Sequence, residues 1–167
     1  MSLSEQDLNL HKEILSNLSE AFLIVLEDPD LIVFHTHRND KIPWEQVLKI
    51  NIKRVSELIN SFDKYAQDRQ KQREFEFHGL TGIELELKHY LIDIPYRRFR
   101  QSYESYKIAK GPGKLIAPRR WFFRFLVLLD NYLDSFEKII PLVGVVKEFK
   151  GILEGSIGVS QRKIGEE

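Results

Sequence analysis

The sequence predicts an all-α protein, a bundle of four long helices with a kinked third helix and a short glycine-rich helix at the C-terminal end. Three observations lead there. Four stretches repeat apolar residues at three- and four-residue steps, the period of helices that bury one stripe. Proline and glycine clusters at Asp28-Pro29-Asp30, Lys110-Gly-Pro-Gly-Lys114 and Pro141 to Gly144 punctuate them. The composition, 167 residues with 43% hydrophobic and 30% charged, is that of a globular chain. A chain of this length suits one domain and buries about 70% of its unfolded surface. Residues 1–167 are therefore read as a single domain, with 157–167 expected to fray.

The first helix is expected to begin at Ser4 as N-cap, with Asp7 in the first turn. Leu8, Leu15, Leu18, Phe22, Val25 and Leu26 form its stripe. Pro29 ends it by pushing Asp28 out of the helical region. The stretch Leu31–Thr36 is β-branched but has no strand to pair with, and an extended connection is expected. Pro43 suits a first helical turn. From Trp44, apolar residues through Val55, Leu58, Phe62 and Ala66 carry a second helix to about Arg73.

Residues 73–90 invite two readings. Phe75 and Phe77, and then Ile83, Leu85 and Leu87, alternate with charged neighbours as in a β-hairpin. A loop over Gly79–Gly82 pairs Phe77 with Glu84, mixing apolar and charged faces. Shifting the register by one sets Glu76 opposite Glu84 and Glu74 opposite Glu86, an unfavourable pairing of like charges. A helix instead gives a capping box at Thr81-x-x-Glu84 and one face of Ile83, Leu87, Tyr90, Leu91 and Ile94. The helix is preferred.

Pro95 is expected to kink or break this third helix, after which Tyr96, Phe99, Tyr103 and Tyr106 resume the helical step. Beyond the glycine turn, Pro118 opens the fourth helix. Trp121, Phe122, Phe125, Leu126, Leu128, Leu129, Tyr132, Leu133, Phe136, Ile139 and Ile140 fall in an arc of about 160°. Asp130, Asp134, Glu137 and Lys138 are assigned to the opposite side. Val145, Val146, Phe149, Ile152 and Leu153 make the last amphipathic piece, weakened by its glycines.

The absence of cysteine excludes disulfides, thiolate metal sites and cysteine nucleophiles. The acidic, polar start does not resemble a signal peptide, and the longest apolar runs, Ala21–Leu26 and Phe125–Leu129, are far too short to span a bilayer. A cytoplasmic location is expected. Phosphate-loop, dinucleotide, nucleophile-elbow and zinc-helix motifs are missing, so no cofactor or metal is expected.

Net neutrality hides a segregation of charge. Residues 1–40 hold 8 acidic and 2 basic residues, whereas 95–124 hold 9 basic residues against Glu104 alone. The nine are Arg97, Arg98, Arg100, Lys107, Lys110, Lys114, Arg119, Arg120 and Arg124. The glycine turn folds two helices together and should gather these cations at one end of a helical hairpin. Either the acidic N-terminal region neutralises them, or they bind an anionic macromolecule or an acidic protein surface, with nucleic acid and anionic lipid both open. The aromatic residues between them have core spacing and suit burial better than stacking on bases.

His35-Thr-His37 would point both rings to one face near Asp40, but two donors do not make a metal site. His78 and His89 suit core or capping roles. Arg73-x4-His78 fits the Arg-x4-6-His spacing of HEPN-type ribonucleases, small helical bundles that act on RNA without metal. With 11 arginines and 5 histidines, chance supplies about one such match. Glu74 stands where that family usually has a small polar residue, and the motif lies mid-chain, so membership is not assigned. The leading expectation is a non-enzymatic interaction or regulatory module that uses 95–124. A ribonuclease using Arg73 and His78 comes second. A peripheral membrane binder, with the basic end on lipid and the last helix inserting, comes third.

Overall fold

The N-cap expected at Ser4 forms, and it is a full capping box. In the computed structural model, which describes residues 4–32, 44–65, 80–109, 113–134 and 144–154, the Ser4 hydroxyl accepts the Asp7 amide at 3.0 Å and the Asp7 carboxylate accepts the Ser4 amide at 3.4 Å. Helix α1 then runs Glu5–Glu27. Its buried stripe of Leu8, His11, Ile14, Leu15, Leu18, Ala21, Phe22 and Val25 makes it the central helix, packed against both α2 (Trp44–Tyr65) and α3 (Gly82–Ile108). Helix α4 (Ile116–Leu133) folds back along α3, and a last helix, α5 (144–154), closes the bundle. All of the regular structure among the described residues is helical.

Several expectations are corrected locally. The helix breaks at Asp28 as expected, but Leu31 and Ile32, the first two residues of the stretch expected to be extended, are not: Leu31 closes a 3-10 helix at Pro29–Leu31, Ile32 caps it in a helical conformation, and both are buried. Pro29 at its first position has the fixed φ a helical turn needs, and the Asp28 carbonyl accepts the Leu31 amide at 3.2 Å. The remainder of the expected extended stretch, Pro43, and the continuation of the second helix to Arg73 lie outside the described residues.

The helical reading from Gly82 onward holds, but the Thr81–Glu84 capping box does not form, since the Thr81 side chain makes no capping bond. The Gly82 amide donates instead to Asp7 Oδ1 at 3.0 Å. One carboxylate thus serves two helix starts, its own and that of Gly82, 75 residues away in sequence. Gly82 turns the chain into the helix with φ +58°, a conformation that costs glycine no Cβ clash. Pro95 does not end α3, which continues unbroken to Ile108. Its ring is buried, and only the Leu91 carbonyl lacks its usual donor.

The orientation of α3 differs most from expectation. Leu85, Ile92, Pro95, Tyr96, Phe99 and Tyr103 are buried, while Ile83, Leu87, Tyr90, Leu91 and Ile94 face outward. The aromatic residues decide this. Phe99 meets Phe122 at 4.7 Å between ring centroids and Tyr96 meets Phe125 at 5.3 Å, so they set the rotation of the whole helix.

Helix α4 starts two residues before Pro118, which sits in the first turn where its missing N–H costs no helical bond. Phe122, Phe125, Leu126, Leu129, Tyr132 and Leu133 are fully buried, as the arc predicts; Phe136, Ile139 and Ile140 lie outside the described residues. Asp130, on the solvent side of that arc by its spacing, is buried. Helix α5 crosses over it, and Lys150 and Lys147 reach its two oxygens at 2.9 and 3.5 Å. On its other flank α5 sets Phe149 edge-on to Phe22 of α1, at 5.9 Å. Val145, Val146, Phe149 and Leu153 are all buried, so the apolar face of α5 is spent inside the fold.

Candidate functional site

Antiparallel packing of α3 on α4 brings the basic residues to neighbouring surfaces, and the fold divides them into two sets. Four are engaged within the molecule. Arg97 pairs with Asp93 at 2.7 Å, one turn away. Arg100 pairs with Glu20 of α1 at 2.9 Å and donates to the Tyr96 hydroxyl at 3.1 Å. Tyr96 in turn donates to Glu20. Burial first, and then that carboxylate acceptor, push the Tyr96 phenol up to about 12. Lys107 lies 3.9 Å from Glu104 and over the Tyr103 ring. Arg119, half-buried, donates to the Asp30 carbonyl at 2.5 Å, and desolvation pulls its pKa down. Glu20 of α1 therefore pairs with one member of the patch, Arg100, while Asp93 and Glu104 of α3 itself pair with Arg97 and Lys107.

The second set is different. Arg98 of α3 and Arg124 of α4 both approach the Trp121 indole, with guanidinium carbons 5.2 and 4.9 Å from the ring centroid. Among the described residues, Arg98, Arg124, Arg120 and Lys114 make no ion pair, and all four are exposed. Cation–π contact holds each exposed guanidinium with only about 0.5–1 kcal/mol and leaves its N–H donors open. Two guanidiniums gathered at one indole present planar donor forks that suit carboxylate or phosphate oxygens. Lys110 lies outside the described residues.

His11 is a polar centre that the sequence reading did not single out. It is fully buried, stacked on Phe62 of α2 at 5.3 Å with the ring planes 3° apart. Its Nε2 lies 3.2 Å from the Leu80 carbonyl, which can only accept, so Nε2 carries the proton. Nδ1, at 2.6 Å from the Tyr132 hydroxyl, then accepts from it. Burial pulls the imidazole down to about 4, against smaller opposing effects of the Leu80 carbonyl and Asp7. The signal was present in the spacing, because His11 stands three residues after Leu8 and four before Leu15, on the buried stripe. Enclosed by side chains and backbone from several elements, His11 joins helices.

His89 is half-buried, with Nε2 3.2 Å from Glu13 Oε2, and bridges α3 to α1. His35, His37, Asp40, Arg73 and His78 lie outside the described residues. No group of three metal-ligating side chains occurs among the described residues, and no helix there is long and apolar enough to cross a membrane. A cavity of about 240 Å³ opens between α1, α2 and α5, lined by Val25, Leu26, Ile32, Leu48 and Phe149. Among the described lining residues the one carboxylate is Glu45, held by Lys49 at 2.8 Å, which lowers the pKa of the acid and sets an ion pair at the edge of a largely apolar recess. Compared with known protein families, curated proteins and solved structures, the chain matches none.

Proposed function

We propose that this protein is a non-enzymatic interaction module that engages an anionic macromolecule through Arg98, Arg120 and Arg124 around Trp121. One observation carries the reading. Two guanidiniums from different helices converge on one indole and make no ion pair among the described residues, while acidic groups elsewhere engage Arg97, Arg100 and Lys107. Like charges brought together without a counter-ion gain most when an anion arrives. Contact with the Trp121 ring partly orders Arg98 and Arg124 in advance, which lowers the side-chain ordering that binding costs.

The test compares charge-altered proteins with wild type, binding heparin and a DNA duplex at several salt concentrations. Arg98, Arg120 and Arg124 changed together to Glu should abolish binding with the fold intact. Changing each singly to Gln should flatten the salt slope by about one for each arginine replaced. Arg97→Glu, on an arginine already paired with Asp93, should have a smaller effect. Equal affinity and equal slope for wild type and the triple variant would reject the reading.

A further inference from the structure

We infer that the cavity between α1, α2 and α5 is a binding site for a small hydrophobic amine, whose apolar body fills the recess and whose ammonium group pairs with Glu45. The recess holds about 240 Å³. Val25 and Leu26 of α1, Pro29 and Ile32 at the 3-10 turn, Leu48 of α2 and Phe149 of α5 form its walls. At about 30 Å³ for each water-sized unit, there is room for a ligand of about eight heavy atoms. Val25, Ile32, Leu48 and Phe149 are buried and have no polar side-chain atoms. Water held among them finds few partners, so an apolar body displaces it at little cost.

Charge decides the head group. Among the described lining residues Glu45 alone is ionisable. It stands in the first turn of α2, where the positive end of the helix suits a carboxylate. Lys49 pairs with it at 2.8 Å, but both side chains are exposed, and an exposed pair one turn apart is weak enough to exchange for another cation. Val25 and Leu26 belong to the last turn of α1, where the helix presents its negative end and no basic residue offsets it. Glu27 and Asp28 follow Leu26 directly, and Asp30 follows Pro29. Arg119 of α4 answers part of this charge, donating to the Asp30 carbonyl. Four carboxylates, Glu27, Asp28, Asp30 and Glu45, thus stand on or beside the lining residues, against Lys49 and Arg119. A ligand with a carboxylate head would meet like charge there, and an uncharged one would gain nothing from Glu45.

The test titrates three probes of matched size, heptylamine, heptanol and hexanoate, into the full chain at pH 7, where the amine is cationic. Calorimetry gives the affinities and amide chemical shifts give the place. Heptylamine should bind with a dissociation constant on the order of 0.1 mM, heptanol about fivefold more weakly or worse, and hexanoate not measurably. The shifts should centre on Val25, Leu26, Ile32, Leu48 and Phe149. Glu45→Gln, at an exposed position, should bring heptylamine down to the level of heptanol and leave heptanol unchanged. Leu26→Trp, which fills the recess from a half-buried wall, should abolish binding of both; if that variant fails to fold, Glu45→Gln still decides. Heptylamine no tighter than heptanol, equal amine affinity in wild type and Glu45→Gln, shifts centred elsewhere, or no binding of any probe would overturn the inference. The arginines at Trp121 take no part in binding a cation, so either outcome leaves the function proposed above to its own test.

Discussion

The Tyr132 hydroxyl and the His11 imidazole, 121 residues apart in sequence, meet at 2.6 Å in the core and tie the first helix to the fourth. As it stands the bond has Nδ1 as acceptor; a second ring proton would reverse it, leaving the phenol oxygen to accept, and would place a charge in the buried core. Stability is thereby linked to pH.

His11 titrates at about 4 in the folded protein and near 6.5 when unfolded. Between those values the unfolded chain binds the proton more readily, so stability rises with pH. The contribution is complete above about pH 6.5 and is lost as pH falls towards 4, amounting to about 3 kcal/mol. Urea unfolding of wild type and His11→Asn at steps between pH 7 and 4 should give difference curves that converge at the acid end. Parallel curves would assign the pH dependence to another group.

Asp7 accepts from both the Ser4 and Gly82 amides and is nearly buried. Asp7→Ala should therefore cost more than loss of one cap, about 2–3 kcal/mol against about 1 for Ser4→Ala. Asp7→Asn, which keeps an acceptor oxygen, should fall between them. Denaturant midpoints of the three variants check the order, and equal losses for Ser4→Ala and Asp7→Ala would mean that the Gly82 bond contributes nothing.

The pairing of Asp130 with Lys147 and Lys150 is asymmetric in exposure, the carboxylate being 8% exposed and the lysines 53% and 28%. Removing Asp130 leaves lysines that can turn to water, whereas removing both lysines strands a buried charge. Lys147→Met with Lys150→Met should cost about 3–5 kcal/mol, and Asp130→Asn about 1–2. Equilibrium unfolding with the α5 region followed by hydrogen exchange distinguishes them. The reverse order would mean that α5 is held by Phe149 and its apolar neighbours alone.

The helical class, the Ser4 cap, the end of α1 at Asp28-Pro29 and the inward arc of α4 were legible from residue order, because each rests on neighbours within one or two helical turns. Apolar spacing also showed that α3 has a face at Ile83, Leu87 and Tyr90. It did not show which of two apolar faces turns inward. That was decided by Phe99 and Tyr96 packing on Phe122 and Phe125, contacts between helices with no trace in local periodicity. Likewise, counting charges located the cluster at 95–124, but only the packed structure divides Arg97 and Arg100, held by Asp93 and Glu20, from Arg98 and Arg124 at Trp121. Charge type is a property of the residue, whereas its neutralisation depends on distances set when helices dock. His11 follows the same rule: its place on the α1 stripe is written in the sequence, and its protonation is decided by Phe62, Leu80 and Tyr132, which folding brings around it.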